Sequence, residues 1–173
     1  MNIGTTPAHP QANDFTGTGG EGDQFLTFIL AGEEYGVDIL RVQEIRGWTR
    51  TTAIPNAPHY LRGVINLRGT IVPIIDLRER FSMQPLEYGP TTVVIVVRAQ
   101  GERRDRIMGI VVDAVSEVYS LKTSDLQPPP DLGSVVDEQF LQGLATVEGK
   151  MIILLDIDRL LNTGALEAEQ VME

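Results

Sequence analysis

The chain has no cysteine and only two histidines among its 173 residues. Disulfides and thiolate metal sites are therefore excluded, and a core must be held by packing alone. His9 lies in a polar N-terminal stretch and His59 beside Pro58, so neither a histidine metal cluster nor a Ser-His-Asp triad is well supplied. Basic residues are also short: 14 Lys and Arg stand against 24 Asp and Glu, a net charge of −10. Such a surface opposes phosphate backbones, which excludes DNA and RNA as natural partners. The densest basic run, Arg103-Arg104-Asp105-Arg106, follows Gly101 between two strand patterns and reads as a solvated hairpin tip. No apolar run approaches a membrane span, and the N-terminus has neither a basic start nor an apolar signal core, so a soluble cytoplasmic protein without direct membrane insertion is expected. Glycines fall singly at turns and form no phosphate-binding loop or dinucleotide fingerprint. No cofactor and no metal are expected.

What the sequence does contain is a copy of part of itself. Tyr60 to Phe81 aligns without a gap on Phe140 to Leu161, eighty positions later. Leu61/Leu141, Gly63/Gly143, Gly69/Gly149 and Asp76/Asp156 are identical, and apolar sites such as Val72/Ile152 and Ile74/Leu154 match in kind. Upstream, Gly36-Val37 and Val42-Gln43-Glu44-Ile45 lie against Gly109-Ile110 and Val115-Ser116-Glu117-Val118 at an offset of seventy-three. Two similar β-rich lobes follow from this repetition.

Residues 1–23 are rich in Gly, Thr, Pro and Asn with few large apolar side chains, the composition of a flexible tail. From Gln24 the text becomes strand-like. Phe25 to Leu30 and Tyr35 to Ile39 flank a Gly32-Glu33-Glu34 turn as a first hairpin, and residues 39 to 45 read as a turn leading into a short strand. Arg68-Gly69 forms the tight turn of a second hairpin. Thr92 to Val97 and Ile107 to Val112 make a third, Pro128-Pro129-Pro130 marks a connection, and Glu138 to Asp156 repeats the second hairpin with Glu148-Gly149 at its turn. Only the stretch from Asp156 to about Met172 has a helical pattern.

This pattern predicts an all-β architecture, most simply two small barrels, with a sandwich left open. Asp76 and Asp156 each follow an apolar strand and precede a short helical pattern, where a carboxylate caps the helix. A carboxylate from each half of a duplicated β protein is also how an aspartic protease builds its dyad. The residues that follow, Leu77-Arg78 and Ile157-Asp158, lack the small side chains that expose such a dyad in a loop.

Glu33 to Gly47, then Leu61 to Arg78 with its Asn66-Leu67-Arg68-Gly69 block, then Gly109 to Asp113 and the final repeat, resemble the CheW chemotaxis coupling proteins, in order, over about Gln24 to Asn162. The resemblance implies two pseudo-symmetric five-stranded SH3-like barrels with short helices and a short C-terminal helix. They would be intertwined within residues 24–162, the second lobe mainly about 90–155, with 163–173 a tail or helix end. It implies a non-catalytic adaptor joining chemoreceptor cytoplasmic tips to the regulatory domain of the histidine kinase CheA, recruited to receptor arrays at the inner face of the membrane. Carried over by motif, the receptor side comprises Val42, Glu44, Ile45, Gly63, Asn66, Leu67 and Arg68. By pattern alone Val42, Ile45 and Leu67 read as core; the resemblance turns Val42 and Ile45 into an apolar groove for a helical hairpin tip. Arg68, at a turn, is expected to be exposed, and its copy position is Glu148, so the lobes are expected to serve different partners. Glu44 matches Glu117 and reads equally as a structural residue shared by both lobes. For the kinase, Val118 and Leu121 are chosen as apolar residues beside the Pro-rich connection, where an exposed patch could form. Two other readings are a coupling module of CheV or CheA type, which would bring a receiver, an ATP-binding domain or a His-containing bundle not seen in this sequence, and a hydrolase using an Asp76/Asp156 pair.

Overall fold

The computed structural model describes residues 22–101, 103–128 and 138–162. The expected tail therefore lies outside them apart from its last two residues, as do Pro129, Pro130 and all of 163–173.

Eleven strands run along the described residues: β1 (Asp23–Leu30), β2 (Glu33–Asp38), β3 (Val42–Gly47), β4 (Leu61–Leu67), β5 (Thr70–Asp76), β6 (Val93–Ala99), β7 (Arg106–Val112), β8 (Ala114–Leu121), β9 (Leu126–Gln127), β10 (Leu141–Val147) and β11 (Lys150–Leu155). A 3-10 turn, Ile39–Arg41, leads into β3, as its mixed apolar spacing suggested. Helix α1 (Leu77–Arg80) follows β5 and α2 (Ile157–Leu161) follows β11. The protein is an all-β, SH3-like pair of lobes. Strands β3-β6-β7-β5-β4 form one sheet and β8-β1-β2-β11-β10-β9 the other.

The repeat is reproduced at the level of single hydrogen bonds. In both copied hairpins the register slips at the same place, Leu61/Gly63 against Ile75/Ile74 and Leu141/Gly143 against Leu155/Leu154. Both turns place two residues at positive φ, Arg68-Gly69 at 52° and 88° and Glu148-Gly149 at 51° and 82°, the geometry that suits the right-handed twist of a hairpin. Asp76 Oδ1 accepts the N–H of Glu79 and Asp156 Oδ1 that of Arg159, so each caps its short helix. Closure is copied too. Thr52, beyond β3, exchanges both backbone bonds with Val64 of β4, and β9, beyond β8, pairs Gln127 with Leu144 of β10.

The sheets do not divide at the repeat boundary. The equivalent hairpins β1–β2 and β6–β7 are exchanged: β2 runs parallel to β11, pairing Gly36 with Leu154, and β7 runs parallel to β5, pairing Gly109 with Ile74. Strands β6 and β7 thus belong to the first lobe, not to a second lobe beginning near residue 90, and the chain passes between sheets at Asp113. Close packing fixes this pairing. A Cβ on Gly109 would stand 2.7 Å from Ile74 Cδ1, and one on Gly36 2.9 Å from Leu154 Cδ2, so in each copy a branched side chain lies across a strand at its one residue without a side chain.

A central core fills the space between the sheets, drawing Phe28, Tyr35 and Leu155 from one and Ile75, Ile95 and Ile110 from the other. Phe28, Tyr35, Phe81 and Phe140 stack in succession through it at 6.0, 6.3 and 6.2 Å. Each lobe keeps a smaller core, around Val72, Ile74 and Val96 in the first and Phe25, Ile152 and Leu154 in the second.

Candidate protein-docking face

Strand β3 alternates half-buried and exposed residues, which is how a strand over a core presents one row of side chains to solvent. Ile45 is in the outward row, 43 % exposed. Val42 packs against the central core instead, so Val42 and Ile45 do not both face solvent.

The β4–β5 turn comes up beside β3. Arg68 Nη2 donates to Glu44 Oε1 at 3.0 Å, and Arg46 Nη1 to Glu44 Oε2 at 3.4 Å. Glu44 is therefore a strut between strand and turn, and Arg68, its side chain 73 % exposed, stands in solvent with donors to spare. Asn66 is exposed, and its Oδ1 accepts the Gly69 N–H at 2.8 Å, which fixes the turn. Ile71, 59 % exposed, lies opposite Asn66 in the hairpin. These residues form a small apolar and cationic surface in which a hydrophobic contact sits beside a guanidinium.

The remaining residues singled out in the sequence sit elsewhere in the packing. Leu67 is 8 % exposed and part of the first lobe's own core. Gly63 is buried at φ 135°, and a Cβ there would meet Thr52 O at 2.3 Å, so it serves the closure of the sheet. Leu121 is 4 % exposed in the second lobe's core, and Val118 is half-buried against the central one. The exposed apolar patch expected at those two positions is not formed by them, because β8 is itself a paired strand lying along β1.

Asp76 and Asp156 are not brought together as a dyad: they line separate cavities, about 320 Å³ beside Arg62 and Tyr88 and about 300 Å³ beside Asp38 and Arg41. The Tyr88 hydroxyl donates to Asp76 Oδ2. Burial first, and then this bond to a carboxylate, push the Tyr88 phenol well above its usual 10.0. Tyr88 also stacks tilted on Trp48 at 4.4 Å, with the Arg62 guanidinium 5.7 Å from its ring. Neither aromatic was singled out in the sequence, since both fall in irregular segments without periodicity.

Sequence reading also missed two ion pairs at the passages between lobes. Arg78 of α1 clasps Asp113 with Nε at 2.9 Å and Nη2 at 2.8 Å, and Asp113 Oδ2 also accepts the N–H of Ala31. Asp158 of α2 accepts from Arg41 Nη2 at 2.7 Å and from the N–H of Gln100 at 2.7 Å. Arg78 and Asp158 are eighty positions apart, so the repeat itself carried the signal, with the charges reversed.

Fold and surface together define a duplicated, SH3-like β protein with a candidate docking face on its first lobe and with Asp76 and Asp156 in separate cavities. The CheW-like domain model matches residues 24–165, and the chain belongs to that family. It is 47% identical over 142 residues to the chemotaxis protein CheW of Klebsiella aerogenes, covering 82% of this chain and 83% of that one. It is 39% identical to the chemotaxis protein CheW of Rhizobium meliloti, covering 85% and 92%. Protein FrzA of Myxococcus xanthus is 29% identical over 84% of this chain and 89% of its own. Among solved structures, the scaffolding protein TtCheW from Thermoanaerobacter tengcongensis superposes with a TM-score of 0.75 at 34% identity, covering 83% of this chain and 94% of that one.

Proposed function

We propose that this protein is a non-catalytic chemotaxis adaptor that couples chemoreceptor cytoplasmic tips to the histidine kinase CheA at receptor arrays on the inner face of the membrane. The observation that carries the reading is family membership over most of the chain, joined to an exposed Ile45, Asn66 and Arg68 on the segments that carry it. The chemistry of that face suits a helical hairpin tip: an apolar residue for its hydrophobic stripe and a planar guanidinium for a carboxylate or a helix-terminal carbonyl. Within the receptor-binding set, Ile45, Asn66 and Arg68 make contact and Glu44 holds Arg68 in place. Val42, Gly63 and Leu67 act through the shape of the hairpin and strand beneath. The second lobe, with Val118 and Leu121 among its supporting residues, is assigned to the kinase regulatory domain. No helix among the described residues is long and apolar enough to cross a membrane, so attachment to an array would run through these protein contacts.

The test is kinase autophosphorylation with cognate CheA and receptor membranes, with and without this protein. Strong activation that receptor ligand switches off is the expected result. A folded sample that neither binds nor activates would sink the reading.

A further inference from the structure

The rim where β3 meets the β4–β5 turn has a counterpart where β8 meets the β10–β11 turn, and the two are charged oppositely. The repeat carries Glu44, Arg46 and Arg68 onto Glu117, Tyr119 and Glu148. Glu117 keeps the role of Glu44 in part: the Tyr119 hydroxyl donates to Glu117 Oε2 at 3.1 Å, where Arg46 donates to Glu44. Among the described residues no guanidinium replaces that of Arg68. Its position holds the exposed Glu148, which has no ion-pair partner among the described residues.

Two further features make the second rim a built site. Glu34 of β2 is 8 % exposed, with Oε1 3.5 Å from Lys150 Nζ and Oε2 buried without any partner. A buried carboxylate oxygen lacking a donor is unfavourable, and supplying one is correspondingly favourable. This group is peculiar to the second lobe, since the first has Ile107 and Thr70 at the positions of Glu34 and Lys150. Lys150 Nζ stands 5.9 Å from the Tyr119 ring, which links Glu34 to Glu117 through Lys150 and Tyr119. The backbone of Glu117 is clamped by Thr27, whose Oγ1 accepts its N–H at 3.0 Å and donates to its carbonyl at 2.8 Å. Among the described residues, three carboxylates, from Glu34, Glu117 and Glu148, share this rim with a single ammonium, that of Lys150.

We propose that this rim of the second lobe takes an arginine side chain presented by the histidine kinase, which supplies in trans the guanidinium that Arg68 gives to Glu44 within the first lobe. The proposal rests on the adaptor reading and names the chemistry of its kinase contact. A guanidinium fits better than a point charge, because its fork can serve two carboxylates of this rim together. In the first lobe Glu44, the counterpart of Glu117, already receives a guanidinium from within the chain, that of Arg68.

The test is a titration of the full chain against full-length cognate kinase at low and moderate salt, with receptor-membrane pull-down measured separately. Glu148→Arg is the informative variant, because arginine already occupies the same backbone conformation at position 68, so the fold is retained. Glu148→Arg and Glu34→Gln are expected to weaken kinase binding about tenfold or more and to flatten its salt dependence, with receptor pull-down unchanged. An exposed kinase arginine changed to glutamate is expected to restore binding to Glu148→Arg. Kinase affinity unchanged in both variants, or a loss confined to the receptor, overturns the proposal. Absence of any binding by the wild-type chain strikes instead at the adaptor reading itself.

Discussion

Single residues in this protein divide by which way the strand turns them. Ile45 and Arg68 project from the surface that Val42 and Leu67 support from inside, although all four lie within one stretch of family-like sequence. Their substitutions should separate accordingly. Arg68→Glu is expected to abolish receptor control of the kinase while moving the melting temperature little, since the Arg68–Glu44 pair is solvent-exposed and such pairs contribute about 0–1 kcal/mol. A large fall in melting temperature would mean that Arg68 is structural. Leu67→Ala is expected to do the reverse, lowering stability by about 2–5 kcal/mol in denaturant titration because it empties part of the first lobe's core. Kinase activation should then survive at temperatures where the variant remains folded.

At the scale of elements, the short helices are held by groups outside themselves. Four- and five-residue helices have too few internal bonds to persist alone, and each begins on a capping aspartate. Asp156→Ala is expected to lower stability by about 1 kcal/mol through loss of its cap. Asp76→Ala should exceed that, because Asp76 is buried and also accepts from Tyr88, whose hydroxyl would be left unpaired. The passage from β7 to β8 is fastened by the Arg78 clasp on Asp113. Burial works to raise the Asp113 carboxyl, but the Arg78 hydrogen bonds, the Ala31 N–H and the Arg78 charge outweigh it and hold the group below its ordinary 3.8. A depressed folded value means that this stability is fully present above the unfolded value and is lost as pH falls through the folded one. Melting temperature followed from about pH 6 downward should therefore drop more steeply below the usual carboxylate range in wild type than in Asp113→Asn. Parallel curves would show that the pair is energetically silent.

For the whole molecule, the exchange of β1–β2 for β6–β7 makes the lobes interdependent. All strands of the first sheet come from one continuous stretch, β3 to β7, whereas the second needs β1 and β2 from the other end of the described chain. A fragment from residue 113 onward should remain unfolded by circular dichroism, and addition of residues 22–112 should restore β structure. Independent folding of the C-terminal fragment would contradict the exchanged topology. The shared core has a functional consequence as well. Faces on the two lobes are held at a fixed separation by packed side chains such as Phe28, Phe81 and Phe140, which suits the proposed adaptor, since that role requires two partners to be kept in one geometry.

The amino-acid sequence by itself determined the repeat, the hairpins, the two capping aspartates and the exposed turn at Arg68, because each follows from local periodicity, turn chemistry or a helix start. It also carried the reversal from Arg68 to Glu148. Only the tertiary structure decided which lobe each hairpin joins, that Leu121 points inward, and that Glu34 is buried with an unpaired oxygen. The physical reason is that the two copies are locally equivalent: Gly36 and Gly109 suit either parallel neighbour. The choice is made by packing between residues more than a hundred positions apart, Gly36 under Leu154 among them, which no local pattern encodes.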